Sequence, residues 1–469
     1  MTRSFSLIKF VLLAVAAGLA VLFISPSALH VQAGDRDDGN LIKQLKIFTD
    51  VLAIVERDYV KQVEGRALVE GAIKGLLQTL DPHSGYLDPD FYQDLQVQTK
   101  GEFGGLGIEI TIRDGLLVVV APMEDSPAEK AGIRAGDAIV KIEGKFTKEF
   151  SLVDAVKKLR GPKGTPIVLS IYRKGQADLI DVTLVRDNIT VRSVKWRYLG
   201  DGFGYVRLSQ FMEKTADDLK SALRGLEGKV ETKQLRGLIL DMRNNPGGLL
   251  TQAIMVGDLF LTEGVIVYTD GRVENQKQKF YAHARGTEPD YPIIILVNGG
   301  SASAAEIVAG ALKDHGRALI LGTQTFGKGS VQTITPLENG GAVTLTTALY
   351  YTKSGNSLQA RGVKPDIELD QDAKPVEASD IEGKPSLSMR EADLPGAIGN
   401  PDQPGKSKPR RKNTLQELNK VTPDKPDLTT INPEVIDINE WMQRDRQFQR
   451  AFDLLKTFNI FKAKGSSDA

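Results

Sequence analysis

The 469-residue sequence contains no cysteine, and that absence excludes a thiol nucleophile, a disulfide frame, a cysteine-ligated metal and a lipidated N-terminal cysteine. Histidine is nearly as scarce. His30, His83, His283 and His315 are all there are, and none stands in HExxH or another ligand spacing, so no metal or other cofactor is expected. Neither sign of charge is in excess: 60 Lys+Arg face 60 Asp+Glu, which removes the usual ground for expecting nucleic acid as a partner. Without disulfides the folded units must rest on apolar burial, and a chain of this length is expected to form two or three of them.

The N-terminus has the pattern of an export signal. Arg3 and Lys9 precede an apolar stretch from Phe10 to Ile24, and the small-residue pattern Val31-Gln32-Ala33 follows, so cleavage after Ala33 is expected. An uncleaved inner-membrane anchor stays open, because the stretch is short for a span yet usable where the bilayer thins. Either way the remainder is expected in the periplasm or cell envelope.

Beyond the signal (1–33), the chain divides by pattern into a helical region (34–96), a compact β-rich module (97–186), an α/β core (187–370), a linker (371–433) and a C-terminal helix (434–469). In the first, Leu41, Leu45, Phe48, Leu52, Val55 and Tyr59 form one helical stripe, expected to pack on the chain's own core in preference to self-association. A second helix is expected from Leu68 to Leu80, stopped by Asp81-Pro82. The core has strand-like runs at Gly204 to Leu208, Gly237 to Asp241, Val265 to Thr269, Ile293 to Asn298 and Ala318 to Gly322. The linker is rich in Pro and charge, and its basic run Lys408 to Lys412 reads as solvated. In the last helix, Asp437 and Glu440 form a capping pair, and Trp441, Phe448, Phe452, Leu455 and Asn459 share a face suited to packing or to oligomerisation.

Two segments of the core carry candidate chemistry. The strand ending at Val297 runs into Asn298-Gly299-Gly300-Ser301-Ala302-Ser303-Ala304-Ala305, where two glycines permit a sharp turn and the small residues let a helix begin close to the sheet. A serine in that first turn meets unpaired backbone N–H groups that favour an oxyanion, although Ser301 and Ser303 also suit ordinary N-caps. Further on, Lys328 lies between Gly327 and Gly329 with no adjacent carboxylate. A buried lysine there would lose its charge readily and take a proton from a serine, whereas an exposed one would be a turn residue only.

These segments, 299–312 and 322–332, resemble the active site of the C-terminal processing (tail-specific) peptidases. The resemblance implies Ser303 as nucleophile rather than Ser301, Lys328 as general base 25 residues later, and Gln332, four further on, holding the lysine amine. It extends over Asp81-Pro82-His83-Ser84-Gly85-Tyr86 and Asp241-Met242-Arg243-Asn244-Asn245-Pro246-Gly247-Gly248, and it implies oxyanion donors at Ala304 and at Gly247 or Gly248. The region 97–186 resembles a bacterial PDZ domain: Gly105, Leu106, Gly107 and Ile108 would form its carboxylate-binding loop beside a groove for an extended substrate tail. The implied fold is a multi-domain α/β protein, a crotonase/Clp-like ββα core with an inserted PDZ-like β+α domain and helical N- and C-terminal segments. The implied activity is that of an exported serine endopeptidase working through an acyl-enzyme. A homo-oligomer, either a dimer or a ring of dimers, is expected, and a helical-repeat lipoprotein adaptor rests on the resemblance alone.

Three rivals are weaker. Gly322 to Lys328 matches a P-loop up to the lysine, but Gly329 stands where a Mg²⁺-binding Ser or Thr is needed. A Ser-His-Asp site would need His83 or His315 beside Ser303, and His315 reads as a helix end. A non-catalytic PDZ scaffold would have no use for Ser303 and Lys328 at that spacing.

Overall fold

The computed structural model describes residues 38–370 apart from 114 and 177, residues 389–402 and residues 445–465. The export signal, the basic run 408–412 and the residues Asp437, Glu440 and Trp441 lie outside these. By its contacts the chain separates into residues 1–73 and 74–469. In the first unit the helix Asp38–Asp58 carries most of the expected stripe, but Leu41, Leu45, Phe48 and Tyr59 are exposed and Leu52 and Val55 only half-buried, so the stripe is not packed into a core. A second helix, Gly65–Gln78, begins three residues earlier than its apolar pattern and ends before Asp81-Pro82. No described helix is long and apolar enough to cross a membrane.

The catalytic core of the second unit is a six-stranded sheet ordered Val194–Gly200, Phe203–Leu208, Gly237–Asp241, Ile293–Val297, Ala318–Gly322 and Ile367–Glu368. All neighbours after the first antiparallel pair are parallel. Parallel strands are covered on both faces, which is why Gly237–Asp241 and Ile293–Val297 read as unbroken apolar runs and are buried throughout. One face packs on the helices Thr215–Glu227, Leu250–Asp258 and Ala304–Asp314. The other is covered by the C-terminal helix Arg446–Gly465, whose Phe448, Phe452 and Leu455 sit on Phe203, Tyr205, Ile239 and Leu296. The aromatic stripe of that helix is therefore occupied within the chain. Its Asn459 amide donates to Arg236 O at 3.0 Å.

A second sheet joins Gly85–Leu87, Ala342–Tyr351, Val265–Gly271 and Gln278–Tyr281, with Ser330–Pro336 also on the long Ala342–Tyr351 strand. It brings the Asp81 to Tyr86 segment onto one edge of the strand Ala342–Tyr351, whose other edge pairs with the strand that follows Lys328. The PDZ-like module is a sheet of Ile108–Arg113, Leu116–Pro122, Ala138–Ile142, Pro166–Tyr172 and Ile180–Val185, with Lys145–Phe146 at its side and the helix Leu152–Leu159 across it. Residues 389–402, expected within a linker, differ from that expectation: Glu391 is fully buried, and the segment is bonded to the loops around Lys328.

Candidate active site

Ser303 stands immediately before the helix Ala304–Asp314 with φ 53° and ψ −113°. A non-glycine residue held there costs about 1–3 kcal/mol, so the surroundings must enforce it. They do so with the carboxylate of Glu306, which accepts the Ser303 N–H at 2.8 Å. The two serines of the turn differ in what their hydroxyls do. Ser301, fully buried, donates to Met242 O at 2.8 Å and accepts the Asn298 N–H at 3.0 Å. The Ser303 hydroxyl has no partner among the described residues, and the side chain is half-buried.

Glu306 joins the two catalytic segments. Besides Ser303 it accepts from Thr325 Oγ1 at 2.5 Å, the Gly327 N–H at 2.7 Å and the Lys328 N–H at 2.9 Å. Burial pushes its carboxyl up to about 7, against the pull of those four donors. The lysine loop is tied to the serine turn a second time, by the Phe326 N–H donating to Ser301 O at 3.0 Å. Lys328 is half-buried and its ammonium makes no side-chain hydrogen bond or ion pair among the described residues. Desolvation lowers its pKa, opposed by the charges of Glu391, Asp81 and Glu306. Gln332 points its amide N–H groups at Ser330 Oγ, 3.0 Å, and Thr346 Oγ1, 3.3 Å. Thr346 in turn donates to Asp81 Oδ1 at 3.1 Å, so the Gln332 carbonyl oxygen is the end left over for the amine.

The turn after Gly237–Asp241 comes against Ser303. A Cβ on Gly247, whose φ is +99°, would lie 2.8 Å from Ser303 Cβ and 3.0 Å from Ala304 N, so only glycine fits there. The two turns are pinned together by the Ala302 N–H donating to Asn245 O at 2.9 Å and by Asn298, which accepts the Asn244 N–H at 2.8 Å. The Gly247 N–H is occupied, donating to Asn245 Oδ1 at 2.9 Å. The N–H groups of Ala304 and Gly248 have no acceptor among the described residues. Under this turn Asp241 pairs with Arg243 at 2.6 Å, and Arg243 reaches Asp445 at 2.7 Å and Gln447 at 3.0 Å beside the C-terminal helix. Burial would raise the Asp241 carboxyl, but Arg243 and Arg207 more than offset it and hold it at about 2.

In the PDZ-like module a cleft of about 200 Å³ opens between the strand Ile108–Arg113 and the helix Leu152–Leu159, lined by Phe103, Leu106, Ile108, Ile110, Val156 and Leu159 among others. Leu106 and Ile108 of the expected loop thus face the cleft. Gly105 and Gly107 shape it from behind: Gly107, at φ +70°, has its α-carbon against Ser126, and its carbonyl accepts the Met123 N–H at 2.8 Å.

Neither histidine rival survives. His315 follows the last residue of the Ala304–Asp314 helix and its Nε2 donates to Val265 O at 2.9 Å, while His83 donates to Glu391. The loop ending at Lys328 leads into the strand Ser330–Pro336, where a P-loop requires a helix. Sequence reasoning missed Glu306 and Glu391. A single carboxylate inside the small apolar run Ala304 to Leu312 was the available signal for the former, and nothing in the polar stretch around Glu391 marked it out.

Comparison with known proteins shows the family. Residues 202–369 match the model of peptidase family S41, residues 118–173 that of the PDZ domain, and residues 23–91 that of the activating protease CtpB N-terminal domain. The carboxy-terminal-processing protease of Bartonella bacilliformis is 50% identical over 355 residues, covering 75% of this chain and 82% of that protein. Carboxy-terminal processing protease CtpB of Bacillus subtilis is 34% identical over 360 residues, covering 76% and 74%. Among solved structures, the photosystem II D1 C-terminal processing protease is 31% identical with a TM-score of 0.42, covering 70% of this chain and 93% of that one.

Proposed function

The chain belongs to the carboxy-terminal processing proteases, PDZ-bearing serine proteases of peptidase family S41, and from that premise we propose that it cleaves exported proteins selected by their C-terminal tails, through an acyl-enzyme on Ser303. The observation that carries the reading is the contrast within one turn: the Ser301 hydroxyl is bonded on both sides, whereas Ser303 is held at φ 53° with its hydroxyl unpaired among the described residues, on the carboxylate that also holds the Lys328 loop. Neutral Lys328 takes the Ser303 proton as Oγ attacks the scissile carbonyl, and the oxyanion forms against the N–H groups of Ala304 and Gly248. Lys328 then hands the proton to the leaving amine, and a water it activates releases the acyl group. Gln332, fixed by Ser330 and Thr346, offers its carbonyl oxygen to the lysine amine. The cleft beside Leu106 and Ile108 takes the last residues of the substrate as an added strand, and tail capture raises the local concentration of the attached chain at the dyad.

The exposed stripe of Asp38–Asp58 supports self-association through the N-terminal helices, and the sequence of the first 33 residues supports a place in the periplasm or envelope. A helical-repeat lipoprotein adaptor is a further proposed partner, resting on family likeness. The decisive test uses the purified chain with a free-acid peptide substrate, its C-terminal amide, and a serine-directed fluorophosphonate. Ser303→Ala should abolish both hydrolysis and labelling, and amidation should slow cleavage below saturation. Hydrolysis by Ser303→Ala at the wild-type rate would remove the nucleophile, and equal rates for acid and amide would remove tail recognition.

A further inference from the structure

The segment 389–402 returns to the catalytic core after the region read as a linker, and it brings in a buried carboxylate that the mechanism above does not use. Glu391 is fully buried. Its oxygens accept His83 Nε2 at 2.8 and 3.0 Å and Gln359 Nε2 at 2.9 Å, so each partner is a donor and the carboxylate is satisfied. Its backbone N–H donates to Phe326 O at 3.1 Å, two residues before Lys328. Gln359, also fully buried, passes the contact on: its Oε1 accepts the Gly329 N–H at 2.9 Å, the residue directly after Lys328. The lysine is thus bracketed on both sides of the chain by contacts with one residue, through its backbone N–H before the lysine and through its carboxylate and Gln359 after it.

The rest of the segment locks that arrangement. Gln359 also donates to Ile398 O at 3.0 Å, and its own carbonyl accepts Asn400 Nδ2 at 2.9 Å. Arg390 Nη1 donates to Gln324 Oε1 at 3.0 Å, and Asp402 accepts the Ser357 N–H at 2.8 Å. At the far end of the network, His83 belongs to the same short turn as Asp81, whose carboxylate accepts the His83 and Ser84 N–H groups and Thr346 Oγ1, the hydroxyl bonded to Gln332. Glu391 therefore sits where the supports of Lys328 and of Gln332 meet.

We propose that Glu391 is a positioning residue for the Lys328 general base, holding the 326–329 loop through Phe326 and Gln359 and setting the charge beneath the amine. The inference rests on the Ser303–Lys328 reading. Its alternative is a purely structural tie, in which the carboxylate fastens the segment 389–402 and nothing more. The two differ in the pH profile. The charged groups around the lysine are Glu391, Asp81 and Glu306, with His83 on the other side of Glu391 and Arg390 and Asp393 on its own segment. Glu391 opposes the lowering of the lysine pKa by burial. Removing its charge must lower that pKa further and move the acid limb of activity, which requires a neutral amine, to lower pH. A structural tie predicts no such movement.

The experiment compares kcat, KM and the rate of fluorophosphonate labelling across pH for the full chain, Glu391→Gln, Glu391→Asp and Lys328→Ala, with thermal melting for each. Glu391→Gln should cut kcat about tenfold to a hundredfold, as a misplaced base does, leave KM within about twofold, and shift the acid limb of labelling downward. Glu391→Asp should restore the position of the limb with only part of kcat. Should Glu391→Gln fail to fold, Arg390→Ala, which releases the segment from Gln324 without touching the buried carboxylate, should still lower kcat about threefold at unchanged KM. Wild-type kcat and an unmoved limb in the folded variants, with Lys328→Ala inactive, would overturn this inference alone. An active Lys328→Ala would overturn the dyad on which it rests.

Discussion

The PDZ-like module and the catalytic core reach function by opposite means. In the module the cleft is lined almost wholly by apolar side chains above a compact apolar core, and its shape comes from a strand, a helix and a few glycines. In the core, the groups that matter are held by buried polar side chains: Glu306 across the serine and lysine loops, Asp241 and Arg243 under the oxyanion turn, and Gln359 with Glu391 behind Lys328. An apolar cleft tolerates adjustment in whatever it holds, because apolar contacts are non-directional. A proton transfer does not, since a displacement of about 1 Å can cost about a hundredfold in rate. Substitutions in the first region should act on KM, and those in the second on kcat.

The largest expected break is at the dyad. Lys328→Arg keeps a cation that cannot be neutral at working pH and should lose about 10³-fold or more in kcat, as should Ser303→Ala. Ser301→Ala should keep part of the activity while lowering stability by about 1–3 kcal/mol, since it leaves Met242 O and Asn298 N without their partner. Active-site titration together with melting separates the two effects. Next in size is Glu306→Gln: a Gln carbonyl cannot accept all four donors, and kcat should fall about a hundredfold with KM little changed.

Arg243→Met tests the support of the oxyanion turn. It takes from Asp241 its closest cation and leaves it Arg207 at 3.4 Å and the Tyr205 hydroxyl at 2.9 Å, and breaking a buried pair costs about 3–5 kcal/mol. The wild-type pair has its own pH signature. The folded carboxyl lies at about 2, below the unfolded range near ~4, so its stabilisation is complete above that range and is lost as pH falls toward 2. Acid unfolding followed by circular dichroism should show Arg243→Met without that share of the acid sensitivity. The smallest effect is reserved for the cleft. Val156→Asp should raise KM for apolar-tailed peptides about tenfold and leave kcat nearly intact. A fall in kcat instead would mean that the module organises the dyad, and the contrast between the regions would be lost.

Much of this was legible in residue pattern. The parallel strands show as apolar runs because they are buried on both faces, and the observed Gly237–Asp241 and Ala318–Gly322 have the expected bounds. The helix Leu152–Leu159 is likewise an amphipathic run, and the structure shows it capped by Ser151. The stripe on Arg446–Gly465 was readable as a face that needs covering, but periodicity does not say by what, and the answer was the chain's own sheet. For the stripe on Asp38–Asp58 the same ambiguity fell the other way, toward exposure. At the site, glycine turns and the lone lysine pointed to two segments that the structure brings together, while the preference for Ser303 over Ser301 came from resemblance. Geometry supplies the independent reason, an occupied hydroxyl against an open one. Glu306 and Glu391 were illegible because a carboxylate's role here depends largely on donors 19 to 308 residues away in the chain.

Those separations have a bearing on the order in which the protein is made. Arg243 meets Gln447 across 204 residues of sequence, and His83 meets Glu391 across 308. Synthesis runs from the N-terminus, so both serines, the lysine and the glycine turns exist as polypeptide well before the side chains that brace them. Contacts of such range form late, because the loop must close before the contact is made. A chain that ends before Glu391 lacks both the segment that ties the Lys328 loop and the helix Arg446–Gly465 that covers one face of the core sheet. Such a truncated product should neither melt as a stable fold nor take up a fluorophosphonate, whereas the full chain should do both.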